Sequence, residues 1–95
     1  MGYDVFVVTR LRVPDAERDG FVAAVGDLIG ALSARPGFRD AELGHAPDEP
    51  GLWALVTRWE GVGAYRRALS AAEVKITGAP VWIHALDEPG AYVTE

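Results

Sequence analysis

Ninety-five residues, 49% of them apolar and none cysteine, describe one globular domain over 1–95 and leave no place for disulfides, iron–sulfur clusters or thiolate chemistry. The net charge is −5 without a run of like sign, and the largest basic cluster, Arg66–Arg67, is too small to neutralise a nucleic acid or an acidic membrane surface. No apolar run approaches the roughly 20 residues of a membrane span.

The N-terminal MGYDVFVV has no basic flank and no cleavage pattern, and Phe6 stands where a myristoylation signal needs Ser or Thr. It reads as a strand, and a cytoplasmic protein is expected. That strand, Tyr3 to Val13, puts Tyr3, Val5, Val7, Thr9, Leu11 and Val13 on one face and Asp4, Phe6, Val8, Arg10 and Arg12 on the other. Pro14-Asp15 opens a helix, with Asp15, Glu17 and Asp19 at the positive end of its dipole. Phe21, Val22, Val25, Leu28, Ile29 and Leu32 form its apolar stripe, and Gly37 is the expected terminator. Gly26 and Gly30 fit either close backbone packing or the codon bias of a GC-rich genome. The excess of Arg over a single Lys points to the same bias.

A weaker strand follows over Phe38 to Ala46, then the turn APDEPG, then the strongest strand, Leu52 to Glu60. Trp53, Leu55, Thr57 and Trp59 share one of its faces, and Leu52, Ala54, Val56 and Arg58 the other. Gly61 to Leu69 predicts a second helix packed through Ala64, Ala68 and Leu69. A third runs from Ala71 through Leu86, broken near Gly78 and Pro80. PGAYVTE at the end predicts a short edge strand. The order β-α-β-β-α-(α)-β is that of an α+β, ferredoxin-like domain: a four-stranded antiparallel sheet with helices on one face. Both faces of the first and third strands carry large apolar residues, so the uncovered face is expected to meet a second copy, in a homodimer.

Few chemical constellations are legible. GVGAY, Gly61 to Tyr65, lacks the spacing and downstream acid of a dinucleotide site, and Ser33 and Ser70 lack the setting of a nucleophile. His45 reads as a turn-edge residue and His84 as a half-buried or exposed one; sequence does not bring them together as metal ligands. What remains is aromatic. Trp59 ends a strand and Tyr65 stands one turn into the next helix. Together they are either ordinary core or the wall of a pocket between sheet and helices, suited to a flat aromatic ligand. Trp82 reads as packing or a dimer contact. Lys75, the only lysine, is either an exposed helix residue or a cation beside that pocket.

PGF at Pro36 to Phe38, RWEGVGAYRR from Arg58 and SAAEVK from Ser70 resemble the antibiotic biosynthesis monooxygenase family of the dimeric α+β barrel superfamily. The resemblance implies a homodimer whose two sheets form a barrel, with a pocket in each subunit. It also implies oxidation of phenolic or quinol metabolites, such as polyketide intermediates, by molecular oxygen without metal, flavin or haem. On that reading Trp59, Tyr65 and Lys75 are the catalytic set, Lys75 standing where those enzymes carry an Arg able to hold a phenolate. Thr9, Trp53, Leu55 and Thr57 contact the substrate; Leu55 replaces an Asn of the family pattern. The haem-degrading branch uses Asn, Trp and His at positions that are Thr9, Ala68 and Gly78 here, so haem degradation is not expected. The expected partners are a second copy and a small aromatic molecule, with no cofactor, nucleic acid or membrane. The alternative is a barrel-type binding or interaction domain without chemistry of its own.

Overall fold

The computed structural model describes residues 4–95, so the expected first strand residue, Tyr3, lies outside the described residues. Strand β1 runs over Val5–Arg12, β2 over Phe38–His45, β3 over Leu52–Trp59 and β4 over Ala91–Val93. They form one antiparallel sheet in the order β2-β3-β1-β4. Helices α1 (Arg18–Ser33), α2 (Val62–Ser70) and α3 (Ala72–Trp82) complete a ferredoxin-like α+β fold.

The register explains the core. Val5 pairs with Trp59, Val7 with Thr57, Thr9 with Leu55 and Leu11 with Trp53. Residues directly opposite point to the same side, so the alternating apolar positions of the two central strands merge into one inward face. All of these except Thr9 are buried, and Phe21, Val25, Leu28 and Leu32 of α1 and Val74 and Val81 of α3 join them in the core. The β2–β3 turn closes at Gly51, whose φ of +84° is left-handed; its carbonyl accepts the Val13 amide at 2.8 Å.

Four expectations about the helices are corrected. Asp15–Glu17 is a separate 3₁₀ turn, and α1 proper begins at Arg18. Its buried stripe is narrower than the sequence pattern: Val22 faces solvent, Ile29 is half-buried, and Ala31 joins the core. A β-carbon on Gly26 or Gly30 would meet nothing within 4 Å, so neither glycine serves close packing. The expected terminator is corrected too: α1 ends at Ser33 with Ala34 as its C-cap, and Gly37, left-handed with φ +86°, lies in the turn that leads into β2. The third helix is not broken: α3 continues through Gly78 and Pro80 and ends at Trp82, short of Leu86. Pro80 sits in the last turn, where its missing N–H spares only the Ile76 carbonyl, and Ile76 is 74% exposed, so water can take that group.

Beyond α3 the chain covers the free edge of β1 instead of remaining helical. The Arg12 amide donates to the His84 carbonyl at 2.9 Å and the Leu86 amide to the Arg10 carbonyl at 2.9 Å; the Val8 amide meets the Gly90 carbonyl at 2.8 Å. Chain and β4 together satisfy the polar backbone that an open edge would leave unpaired. The expected edge strand is present as β4.

Candidate active site

Between the sheet and helices α2 and α3 lies a cavity of about 490 Å³, lined by Thr9, Tyr65, Leu69, Lys75, Ala79 and Trp82. Each lining group follows from its element's period. Thr9 is the one inward position of β1 that is neither aliphatic nor buried. Tyr65 and Leu69 stand four apart on α2, and Lys75, Ala79 and Trp82 recur at +4 and +7 on α3. The walls are thus two aromatic rings and two aliphatic side chains, with one hydroxyl on the sheet side and one cation. Lys75 is exposed and joins no ion pair among the described residues.

The expected residues separate into two layers. Thr9, Tyr65 and Lys75 line the cavity. Trp59 does not. Its ring has no exposed surface and lies behind Tyr65, 6.0 Å between ring centres, with Phe38 edge-on at 5.3 Å. Its indole N–H donates to Thr57 Oγ1 at 2.9 Å, which satisfies both polar groups inside the core. Leu55 is buried beside Thr57 on the same strand face. Trp53 is elsewhere, packed against Phe21 at 5.4 Å and His45 at 5.1 Å, beneath the Arg18 guanidinium at 5.5 Å.

Burial pushes the Tyr65 hydroxyl above its ordinary value of 10.0, so at neutral pH it is a hydrogen-bond donor and not a phenolate. A fixed donor, an ammonium group and two rings together can hold the oxygen of a phenol and cover its faces. A second cleft, about 520 Å³, holds Trp53, His45, Arg12, Asp15 and Arg18. Both of its arginines are engaged: Arg12 pairs with Glu49 at 2.8 Å and Arg18 lies on Trp53. His84 is kept apart from His45, its Nε2 3.7 Å from Glu17 and its ring edge-on to Phe21. Among the described residues no three His, Asp or Glu side chains gather closely enough to hold a metal ion. No helix among them is long and apolar enough to cross a membrane.

Sequence reasoning gave Leu69 to packing and Trp82 to packing or a dimer contact, and did not name Ala79; all three line the cavity. The signal was available, since Trp82 stands seven residues after the sole lysine. It was hidden by the expectation that Gly78 and Pro80 interrupt the helix, which would have destroyed that spacing.

The fold recurs in solved structures at low sequence identity. SnoaB from Streptomyces nogalater, a cofactor-independent oxygenase, matches with TM-score 0.85 and 20% identity over 99% of this chain and 95% of its own. A conserved protein from Bacteroides thetaiotaomicron matches with TM-score 0.86 and 10% identity over 99% of this chain and 100% of its own. A conserved protein from Methanosarcina mazei matches with TM-score 0.82 and 14% identity over 98% and 92%. No curated protein sequence matches. At such identities these likenesses speak for the fold alone. The family model for antibiotic biosynthesis monooxygenases matches residues 4–77, most of the length and nearly all of the sheet and helices described above, and the chain belongs to that family.

Proposed function

We propose that the chain is a cofactor-independent monooxygenase of a phenolic or quinol-type aromatic metabolite. The observation that carries this reading is the convergence of Tyr65, Thr9 and Lys75 on one largely apolar cavity. A phenol bound with its oxygen toward Lys75 ionises more readily, because a nearby positive charge favours the phenolate, and its proton leaves to solvent at the open mouth. Tyr65 donates a hydrogen bond to the same oxygen, and Thr9 offers a second from the sheet side. The electron-rich ring then gives an electron to molecular oxygen. The resulting pair recombines at ring carbon, and the hydroperoxide loses water to leave a carbonyl. For a ring CH₂ in the keto form of such a phenol the balance is CH₂ + O₂ → C=O + H₂O. The substrate supplies every electron, so no external reductant enters. Trp59 acts from behind by holding the Tyr65 ring.

The test is oxygen uptake by chelator-treated protein with anthrone and a panel of dihydroxynaphthalenes. Uptake of one O₂ per carbonyl formed is expected, with turnover lowered about tenfold or more in Lys75→Met, the scale of losing one group that stabilises developing charge. A folded protein that leaves the solvent rate unchanged across the panel ends the oxygenase reading. It would favour the second one, a binding module of the same fold. One observation speaks for that alternative: among the described residues no carboxylate or imidazole lines the cavity to take a proton.

The proposal includes a second copy. The sheet face away from the helices carries Phe6, Val8, Ala54 and Val56, all half-buried, and Tyr92, which stacks on Phe6 with ring centres 5.4 Å apart. Arg10, Arg58, Asp40 and Glu42 surround this strip, with Arg58 bridging to Asp40 at 2.9 Å. An apolar centre inside a charged rim is the anatomy of a protein interface. Two such faces pressed together would form the barrel.

A further inference from the structure

The α3 wall of the cavity is a single helical stripe, Lys75, Ala79 and Trp82. Side chains on a helix lean toward its N-terminus, so the Trp82 indole lies back over the turn that contains Gly78. The missing side chain there is what admits the ring. A β-carbon on Gly78 would collide with the indole nitrogen and stand 3.0 Å from Cδ1 and Cε2. Ala79, one residue on, is small and exposed, so the floor between cation and indole stays open. Lys75 leans the same way along the helix, so cation and indole stay separated by the seven-residue rise from position 75 to position 82, about 10 Å. One phenol ring whose oxygen sits at Lys75 ends short of the indole, whereas two fused rings reach it.

We propose that Trp82, seated on Gly78, is the specificity-determining wall of this cavity and selects phenols of two or more fused rings over single-ring phenols. This rests on the cavity being a phenol site, but not on any reaction with oxygen. It also assigns the three tryptophans distinct duties. Trp82 meets the ligand, Trp59 is sealed in the core and Trp53 belongs to the other cleft.

The probes are phenol and 2-naphthol, titrated calorimetrically under nitrogen into the full chain. The indole N–H signals are followed by NMR and assigned with Trp82→Phe. The wild-type protein should bind 2-naphthol about tenfold more tightly than phenol, the scale of one good aromatic contact. Trp82→Ala should cut that ratio to about threefold or less while Trp82→Phe keeps most of it. Ala79→Leu, at an exposed helix position where leucine is well tolerated, should weaken 2-naphthol more than phenol. The Trp82 signal should move on binding and the Trp59 signal stay. An unchanged ratio in both Trp82→Ala and Ala79→Leu, a Trp82 signal that ignores the ligand, or no binding of either probe overturns the proposal. Discrimination through Trp82 without oxygen uptake supports it and ends the oxygenase reading instead.

Discussion

The Tyr65 ring leans on the sealed Trp59 indole on one side and lines the cavity on the other. Its hydroxyl carries both a functional and a stability consequence. Burial raises its pKa above the ordinary 10.0, so the folded chain holds the proton longer than the unfolded chain does. The linkage sign follows: stability is intact below pH 10 and falls as pH rises from there through the folded value. Denaturant titrations between pH 8 and 11.5 should show this alkaline loss in the wild type and a shallower one in Tyr65→Phe. Curves of equal slope would mean that the hydroxyl is solvated in the folded state. At the same scale, Trp59 shows why an aromatic at a strand end is ambiguous in sequence. Its partner Thr57 lies two residues away on the same face, so a ring that looks ready for a ligand is already satisfied.

Among the elements, two glycines decide how closely neighbouring groups approach. Gly37 turns the chain into β2 and makes room for α2. It has φ +86°, and a β-carbon there would lie 2.5 Å from the Ala64 β-carbon and 3.0 Å from Glu60 Cγ. Gly37→Ala should therefore cost at least the roughly 1–2 kcal/mol of a left-handed L-residue, with the displacement of α2 in addition. Gly26→Ala is its internal control, since that site is open and helical; it should gain about 0.5–1 kcal/mol. Thermal melts read both, as shifts of opposite sign, about 4–8 °C per kcal/mol for a domain of this size. Equal shifts for the two would remove the argument that α2 is seated by Gly37. The same reasoning places Gly78 within α3: a residue of poor helix propensity persists mid-helix because the Trp82 ring occupies the space.

For the whole molecule, stability turns on the uncovered sheet face. A 95-residue chain buries only about 60–65% of its unfolded surface, and here one side of the sheet still faces outward. If two copies meet there, a charge at its centre separates them. Val56→Arg, on the central strand β3, should convert a dimer into a monomer in analytical ultracentrifugation and lower the melting temperature. Val22→Arg, on the exposed side of α1, should leave the mass unchanged. A wild-type chain that sediments as a monomer throughout the micromolar range would sink the dimer and, with it, the barrel.

The fold was largely legible in the amino-acid order because its information is periodic. Alternation along β1 and β3, the stripe of α1, the APDEPG turn and Gly37 are local signals, and local signals select strand, helix and turn before any tertiary contact forms. Tyr65, Lys75 and Thr9 were also legible as side chains of suitable chemistry, and they line one cavity. Depth was not legible. Whether Trp59 lines a cavity or lies behind its wall depends on how α2 sits over the sheet. Whether Gly78 breaks a helix or receives an indole depends on a ring one turn away. Sequence period determines which face a residue takes. How far that face lies from open space is set only when the elements pack, because packing distance is a sum over many side chains and belongs to no one of them.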